Sequence, residues 1–173
     1  SIFGNYGLDQ NLSPYSWTKA KNIELIKNYS KWFGLKYEIA YFYNVYGPDQ
    51  IGKGKMASVV GIFENQYLNN KHLTIVKPGN QKRDFTHIDD IIKGVFLIWK
   101  NGKQKEYLLK YNKSYSIKQL AKFFKHKFIF VKERPGERFK SNMIKNDNAK
   151  KILGFEAKID IKDYIKDFLK LHK

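Results

Sequence analysis

Cysteine is absent from the 173 residues. That excludes disulfides, thiolate metal ligands and a cysteine nucleophile, and makes the reducing cytoplasm the default expectation. No apolar run approaches the ~20 residues of a membrane-spanning helix. The opening "SIFGNYGLDQ" has no basic stretch followed by an apolar one, so no signal peptide is expected. Acidic residues are scarce, 16 against 33 Lys+Arg, giving a net charge of +17. Arginine is scarcer still: Arg83, Arg134 and Arg138 stand alone in a lysine-rich chain. Where lysine is the default cation, a retained arginine points to a need for its planar, bidentate fork. A glycine-rich phosphate loop between strand and helix is also missing. "GKGK" follows a loop and lacks the spacing such a motif needs.

What remains is 42% hydrophobic and 16% aromatic. That suffices for one compact core, or for one small domain and part of another. Residues 100–173 carry 21 Lys+Arg against 8 Asp+Glu, and residues 1–99 carry 12 against 8. The lysines are strewn singly along amphipathic stretches such as "KDYIKDFLKLHK", a pattern that suits solvated helix faces. A nucleic-acid-binding module is the competing reading of the charge. It needs clustered cations with exposed aromatics on one face, whereas the aromatics here recur at core-like spacing.

Ser13-Pro14 reads as a helix start, with Ile23, Ile26, Tyr29 and Phe33 at helical spacing until Gly34 ends the run. "KYEIAYFYNVYG" reads as a buried strand, extended over 37–44 and ending in a Gly47-Pro48 turn. A helix at about 56–69, the strand "LTIV" and the turn "KPGNQK" follow. "RDFTHIDD" starts extended and passes into a helix over about 88–99. "EYLLKY" and "KFIFV" are strands flanking a helix capped by Ser116, and helices at about 146–153 and 160–171 close the chain. Strands alternating with helices predict an α/β architecture.

Within the first helix, Tyr15 and Lys19 lie one turn apart and so share a face. A cation beside a phenol favours the phenolate and can make tyrosine a base nearer neutral pH. "YLNNK" offers the same spacing at Tyr67 and Lys71, but without a comparable setting.

Four stretches in order, "SIFG", "PYSWTK", "YFYNVYGP" with "RDFTHIDD", and "RPGE" ahead of "AKKILGF", resemble the extended short-chain dehydrogenase/reductase family, in particular its nucleotide-sugar epimerases. The resemblance runs over essentially the whole chain. It implies a carboxyl-terminal portion of such an enzyme, without the amino-terminal dinucleotide-binding part. The implied fold is a partial NAD-binding Rossmann (doubly wound) domain at 1–48, joined to a smaller α/β substrate-binding domain at 49–173. Residues 84–110 or so are expected to pack back on the Rossmann part.

The same resemblance assigns roles. Tyr15 becomes the acid/base, Lys19 holds the nicotinamide ribose and lowers the tyrosine pKa, and Tyr43 lies near the nicotinamide. Asn44, Arg83 and Arg134 bind the substrate pyrophosphate, and Glu137 a ribose hydroxyl. Tyr41 departs from the arginine usual there. The family's catalytic Ser/Thr would fall just upstream of Ser1. Serine at position 1, where the dehydratases and decarboxylases usually carry glutamate, favours an epimerase. His87 beside Asp89 and Asp90 is structural in this pattern, and no metal is implied.

The implied activity is NAD-dependent 4-epimerisation of a UDP-hexose by transient oxidation at C4, with a homodimer in the full-length enzyme and no nucleic-acid or membrane partner. A 4,6-dehydratase or decarboxylase is the alternative within the family. The 173 residues alone are expected to be inactive.

Overall fold

A computed structural model describes residues 14–54, 56–132 and 147–172. Helix α1 (Pro14–Phe33) begins at the proline and ends where the sequence indicates. Gly34 takes φ +67° there, and its N–H returns to the Ser30 carbonyl at 2.9 Å. This is the left-handed helix terminus that glycine adopts without steric cost. The buried side of α1 differs from the expected one. Ser16 and Ala20 are buried, whereas Tyr29 and Phe33 are exposed at 46% and 72% and pack against Trp32, Tyr29 with a tilted ring and Phe33 edge-on. Small residues let the helix approach its neighbours closely; the large ones face outward.

The expected strand over 37–44 is shorter and broken. β1 (Ile39–Phe42) stops before Asn44, whose left-handed φ of 36° interrupts the extended run, and β2 (Val45–Tyr46) resumes it. Helix α2 (Val59–Leu68) is capped by Ser58, which accepts from the Gly61 N–H. Next come β3 (Leu73–Val76), β4 (Lys82–Asp84), β5 (Thr86–His87) and α3 (Ile88–Asn101). After β6 (Glu106–Leu109) comes β7 (Ser114–Ser116), a short strand absent from the sequence-based expectation. Helix α4 (Ile117–Phe123) starts with a full capping box between Ser116 and Gln119. β8 (Phe128–Val131), α5 (Asn148–Leu153) and α6 (Ile161–Leu171) complete the described elements.

Strand pairing is mostly parallel. β1 pairs with β6, β2 with β5 and β3 with β8 in parallel, while β4 and β7 run antiparallel. Parallel pairs need crossovers, and helices supply them here. Two apolar clusters dominate. In one, α2, β3, α4 and α6 meet around Phe63, Leu73, Ile75, Leu120, Phe124, Ile161 and Ile165. In the other, α3, β6 and α5 meet around Ile91, Ile98, Tyr107, Leu109 and Leu153. Gly94 makes the second contact close: a Cβ there would lie 2.7 Å from both methyl groups of Leu109. A smaller cluster of Ile39, Tyr41, Tyr43 and Leu108 lies beneath Ile23 of α1.

Candidate functional site

Tyr15 and Lys19 do share a face of α1, with the Lys19 Nζ 5.8 Å from the Tyr15 ring centroid. Both are exposed, Tyr15 at 63%. The phenol and ammonium therefore stand side by side with their polar ends open to a ligand. The far end of α1 is tied to the strands below by a polar triad. Lys27 Nζ meets Glu106 Oε1 at 2.5 Å, and the Tyr41 hydroxyl donates to Glu106 Oε2 at 2.8 Å. Burial pushes the Glu106 carboxyl up, but the bonds from Lys27 and Tyr41 outweigh it and hold it below the usual glutamate value. Tyr41, the departure from the usual arginine, thus serves as a buried donor linking β1 to β6. Tyr43, two residues on, is 6% exposed within the same cluster.

Asn44 and Arg83 come together. Both line a cavity of about 210 Å³, with Ile62, Val76 and Val131 among its apolar walls. Asn44 reaches it from the break between β1 and β2. Its left-handed backbone suits asparagine better than most residues, and its Nδ2 donates to the Asp84 carbonyl at 3.0 Å. Arg83 comes from β4, its Nη1 donating to the Lys82 carbonyl at 3.0 Å. The neighbouring Asp84 carboxylate is held by Lys110 Nζ at 3.3 Å and by the Ser114 hydroxyl. Tyr15, Lys19 and Tyr43 are not among the residues lining this cavity. Arg134 and Glu137, like Ser1, lie outside the described residues.

Sequence reasoning passed over Gln81, which lines the same cavity. The sequence offered no signal for it: Gln81 sits in the "KPGNQK" turn just ahead of β4. His87 is structural, as expected. It is 7% exposed, and its Nδ1 accepts from the Asp89 N–H at 3.2 Å as the N-cap of α3. Asp90 accepts from the backbone N–H groups of Lys158 and Ile159, both at 2.9 Å. No group of side chains among the described residues could hold a metal ion, and no described helix is long and apolar enough to cross a membrane.

These elements have counterparts in known proteins. A protein of Methanocaldococcus jannaschii named "Putative UDP-glucose 4-epimerase" is 35% identical over 164 residues, covering 90% of this chain and 52% of its own length. The crystal structure of UDP-glucose 4-epimerase from Thermotoga maritima, solved with UDP-glucose, superposes with a TM-score of 0.84 at 27% identity, covering 92% of this chain and 53% of that one. UDP-glucuronic acid 4-epimerase from Bacillus cereus, solved with UDP-glucuronic acid and NAD, gives 0.78 at 25% identity over 95% of this chain and 56% of that one. None of the three is by name a nucleic-acid-binding protein. The chain spans about half the length of the relatives it matches. The architecture is accordingly that part of the α/β Rossmann-type fold of these enzymes which the 173 residues cover. With residues 4–112 matching its family model, the chain belongs to the NAD dependent epimerase/dehydratase family.

Proposed function

We propose that the chain is the substrate-binding half of an NAD-dependent nucleotide-sugar 4-epimerase acting on a UDP-hexose. The observation that supports this most is the meeting of Asn44 and Arg83 at one cavity from separate strands. A diphosphate requires several donors at once, and an arginine fork beside an amide supplies charge-assisted and neutral hydrogen bonds together. Arg134 would add a second guanidinium and Glu137 an acceptor for a ribose hydroxyl.

Tyr15 would take the proton of the sugar 4-hydroxyl and return it, with Lys19 beside it holding the nicotinamide ribose. Bound NAD would supply the hydride acceptor for C4. The residues present suit the nicotinamide end of that cofactor, because the open phenol and ammonium of α1 are side by side. Tyr43 would back this end from below. Nothing in the sequence provides the glycine-rich turn for the cofactor's pyrophosphate. Clamping the diphosphate while the 4-keto sugar turns in its pocket would present either face of C4 for return of the hydride, with Tyr15 giving the proton back to the 4-oxygen.

In this reading residues 1–48 are the end of the cofactor domain and 49–173 mainly the substrate domain. The parallel pairing of β6 with β1 agrees with residues 84–110 packing back on the cofactor side. The full-length enzyme would be a cytoplasmic homodimer.

The test is a longer parent chain that carries a dinucleotide-binding half, incubated with UDP-galactose and NAD. It should interconvert the epimers. Tyr15→Phe should lower turnover by about 10²- to 10⁴-fold, the usual worth of a positioned acid/base, and leave UDP-sugar affinity intact. A parent chain without epimer exchange, or a Tyr15→Phe variant with full activity, would contradict the assignment.

A further inference from the structure

Helix α6 carries Lys162, Lys166 and Lys170 at i, i+4 and i+8, so the three share one face. Like charges at that spacing weaken the helix that carries them. Lys170 is offset by Asp167, whose Oδ1 lies 2.8 Å away. Lys162 and Lys166 are exposed and make no ion pair among the described residues.

The fold adds a second basic set to the first. Helix α4 packs on α6 through Leu120 and Phe124 against Ile161, Ile165 and Phe168. That packing brings Lys122, in the last turn of α4, and Lys125, just beyond it, to the same groove as the three lysines of α6. Both are exposed and likewise unpaired among the described residues. The groove has a volume of about 520 Å³, and Phe123 and Leu169, both half-buried, give it an apolar floor. Asp163 and Asp167, the acids of α6, are not among the residues that line it.

This combination narrows the occupant. Five ammonium groups over an apolar floor select a ligand with an apolar stripe between acidic flanks, and the lysine stems extend the apolar surface beneath their charges. An amphipathic helix with anchors at i, i+3, i+4 and i+7 has that form. The lysine stripe of α6 is ~12 Å long, about two turns of such a helix. An anionic bilayer is flat and meets a convex face rather than a groove. A phosphate backbone answers the cations but leaves the apolar floor unused. A second copy of this chain is opposed by its own net charge of +17.

We propose that the groove between α4 and α6 docks an acidic amphipathic helix of a partner protein, with the apolar stripe of that helix on Phe123 and Leu169 and its carboxylates on the five lysines.

The test is fluorescence anisotropy of the 173-residue chain with a labelled peptide of about five helical turns, roughly 18 residues. It is built from Leu, Glu and Ala with the leucines in one helical stripe, and a shuffled peptide of the same composition lacks the stripe. The striped peptide should bind at least about 10-fold more tightly than the shuffled one, and more weakly as salt is raised. Reversing charge with Lys162→Glu and Lys166→Glu together should weaken binding by about 10-fold, since each exposed pair alone contributes little. Lys31→Glu with Lys36→Glu, the same charge change near the end of α1, should alter it by less than about 2-fold. Circular dichroism checks folding, and should the α6 variant not fold, Lys122→Glu with Lys125→Glu must show the same loss. Equal binding of the two peptides overturns the proposal, as does equal loss from the α1 and α6 reversals. Tighter binding to phosphatidylserine vesicles or to duplex DNA than to the striped peptide overturns it as well, in favour of a membrane or a nucleic acid.

Discussion

Asn44 does two jobs with one side chain, and they can be separated. Its backbone lies in the left-handed region at φ 36°, which costs a β-carbon-bearing residue about 1–2 kcal/mol and glycine almost nothing. Its amide donates to the Asp84 carbonyl and lines the cavity beside Arg83. Asn44→Gly should therefore fold, with a melting temperature within a few degrees of the parent, while UDP affinity falls by about 5- to 10-fold for the lost amide. Asn44→Ala should lose both, and thermal melts alongside UDP titration will distinguish the two variants. Residues of this kind were legible in the sequence when their type was itself unusual. Arg83 stands out because arginine is nearly absent, and Tyr15 with Lys19 because a proline-started helix puts them one turn apart. Gln81 was not legible. A glutamine in a turn-like "GNQK" carries no chemical signature, and only the fold shows that it lines the cavity.

The ends of elements were readable because their chemistry is local. Pro14 and Gly34 bound α1, and Ser116 caps α4, each by a backbone mechanism confined to a few residues. The buried face of α1 was not, since which side of a helix is covered depends on distant residues. Tyr29 and Phe33 fit an inward helical stripe as well as the outward one they occupy. β7 escaped because three residues paired antiparallel with β4 carry no periodicity.

Helix α6 offers the clearest test at this scale. Its N-cap, Asp160, accepts from the Tyr115 hydroxyl at 2.6 Å, the Lys162 N–H at 2.9 Å and Lys113 Nζ at 3.3 Å. Burial raises the Asp160 carboxyl, but these bonds outweigh it and hold it below the ordinary aspartate value of about 3.9. A carboxyl with a depressed folded-state pKa contributes stability that is full above its unfolded value and lost as pH falls through the folded one. Asp160→Asn should cost about 1–2 kcal/mol at neutral pH, and the gap from the parent should close as the pH drops below about 4. Urea melts at pH 7 and pH 3.5 will show it. A gap that stays constant with pH would mean the bonds to Asp160 contribute no charge-dependent stability.

For the molecule as a whole, the pairing of strands is incomplete in a telling way. Among the described residues each sheet has two strands, although parallel strands are normally buried in wider sheets. Helices α1 and α3 leave Trp32, Phe33, Phe96 and Trp99 exposed, Trp99 at 79%. Uncovered apolar faces and strand edges favour association. The 173-residue chain should accordingly sediment as larger species with rising concentration, and Phe96→Lys with Trp99→Lys should shift it toward monomer. The same chain should not turn over UDP-galactose with added NAD, because it has no glycine-rich turn for the cofactor pyrophosphate. Sustained change of the epimer ratio would refute that.

The central claim is that Asn44 and Arg83 form a seat for a nucleoside diphosphate, and it is open to one direct measurement. UDP is titrated into the 173-residue chain and into Arg83→Leu, with both shown to be folded by circular dichroism. The account predicts saturable binding to the unaltered chain and a loss of about 10- to 100-fold in Arg83→Leu, the worth of a charge-assisted hydrogen bond. Equal affinity in the two proteins, or no binding to the unaltered chain, would contradict it.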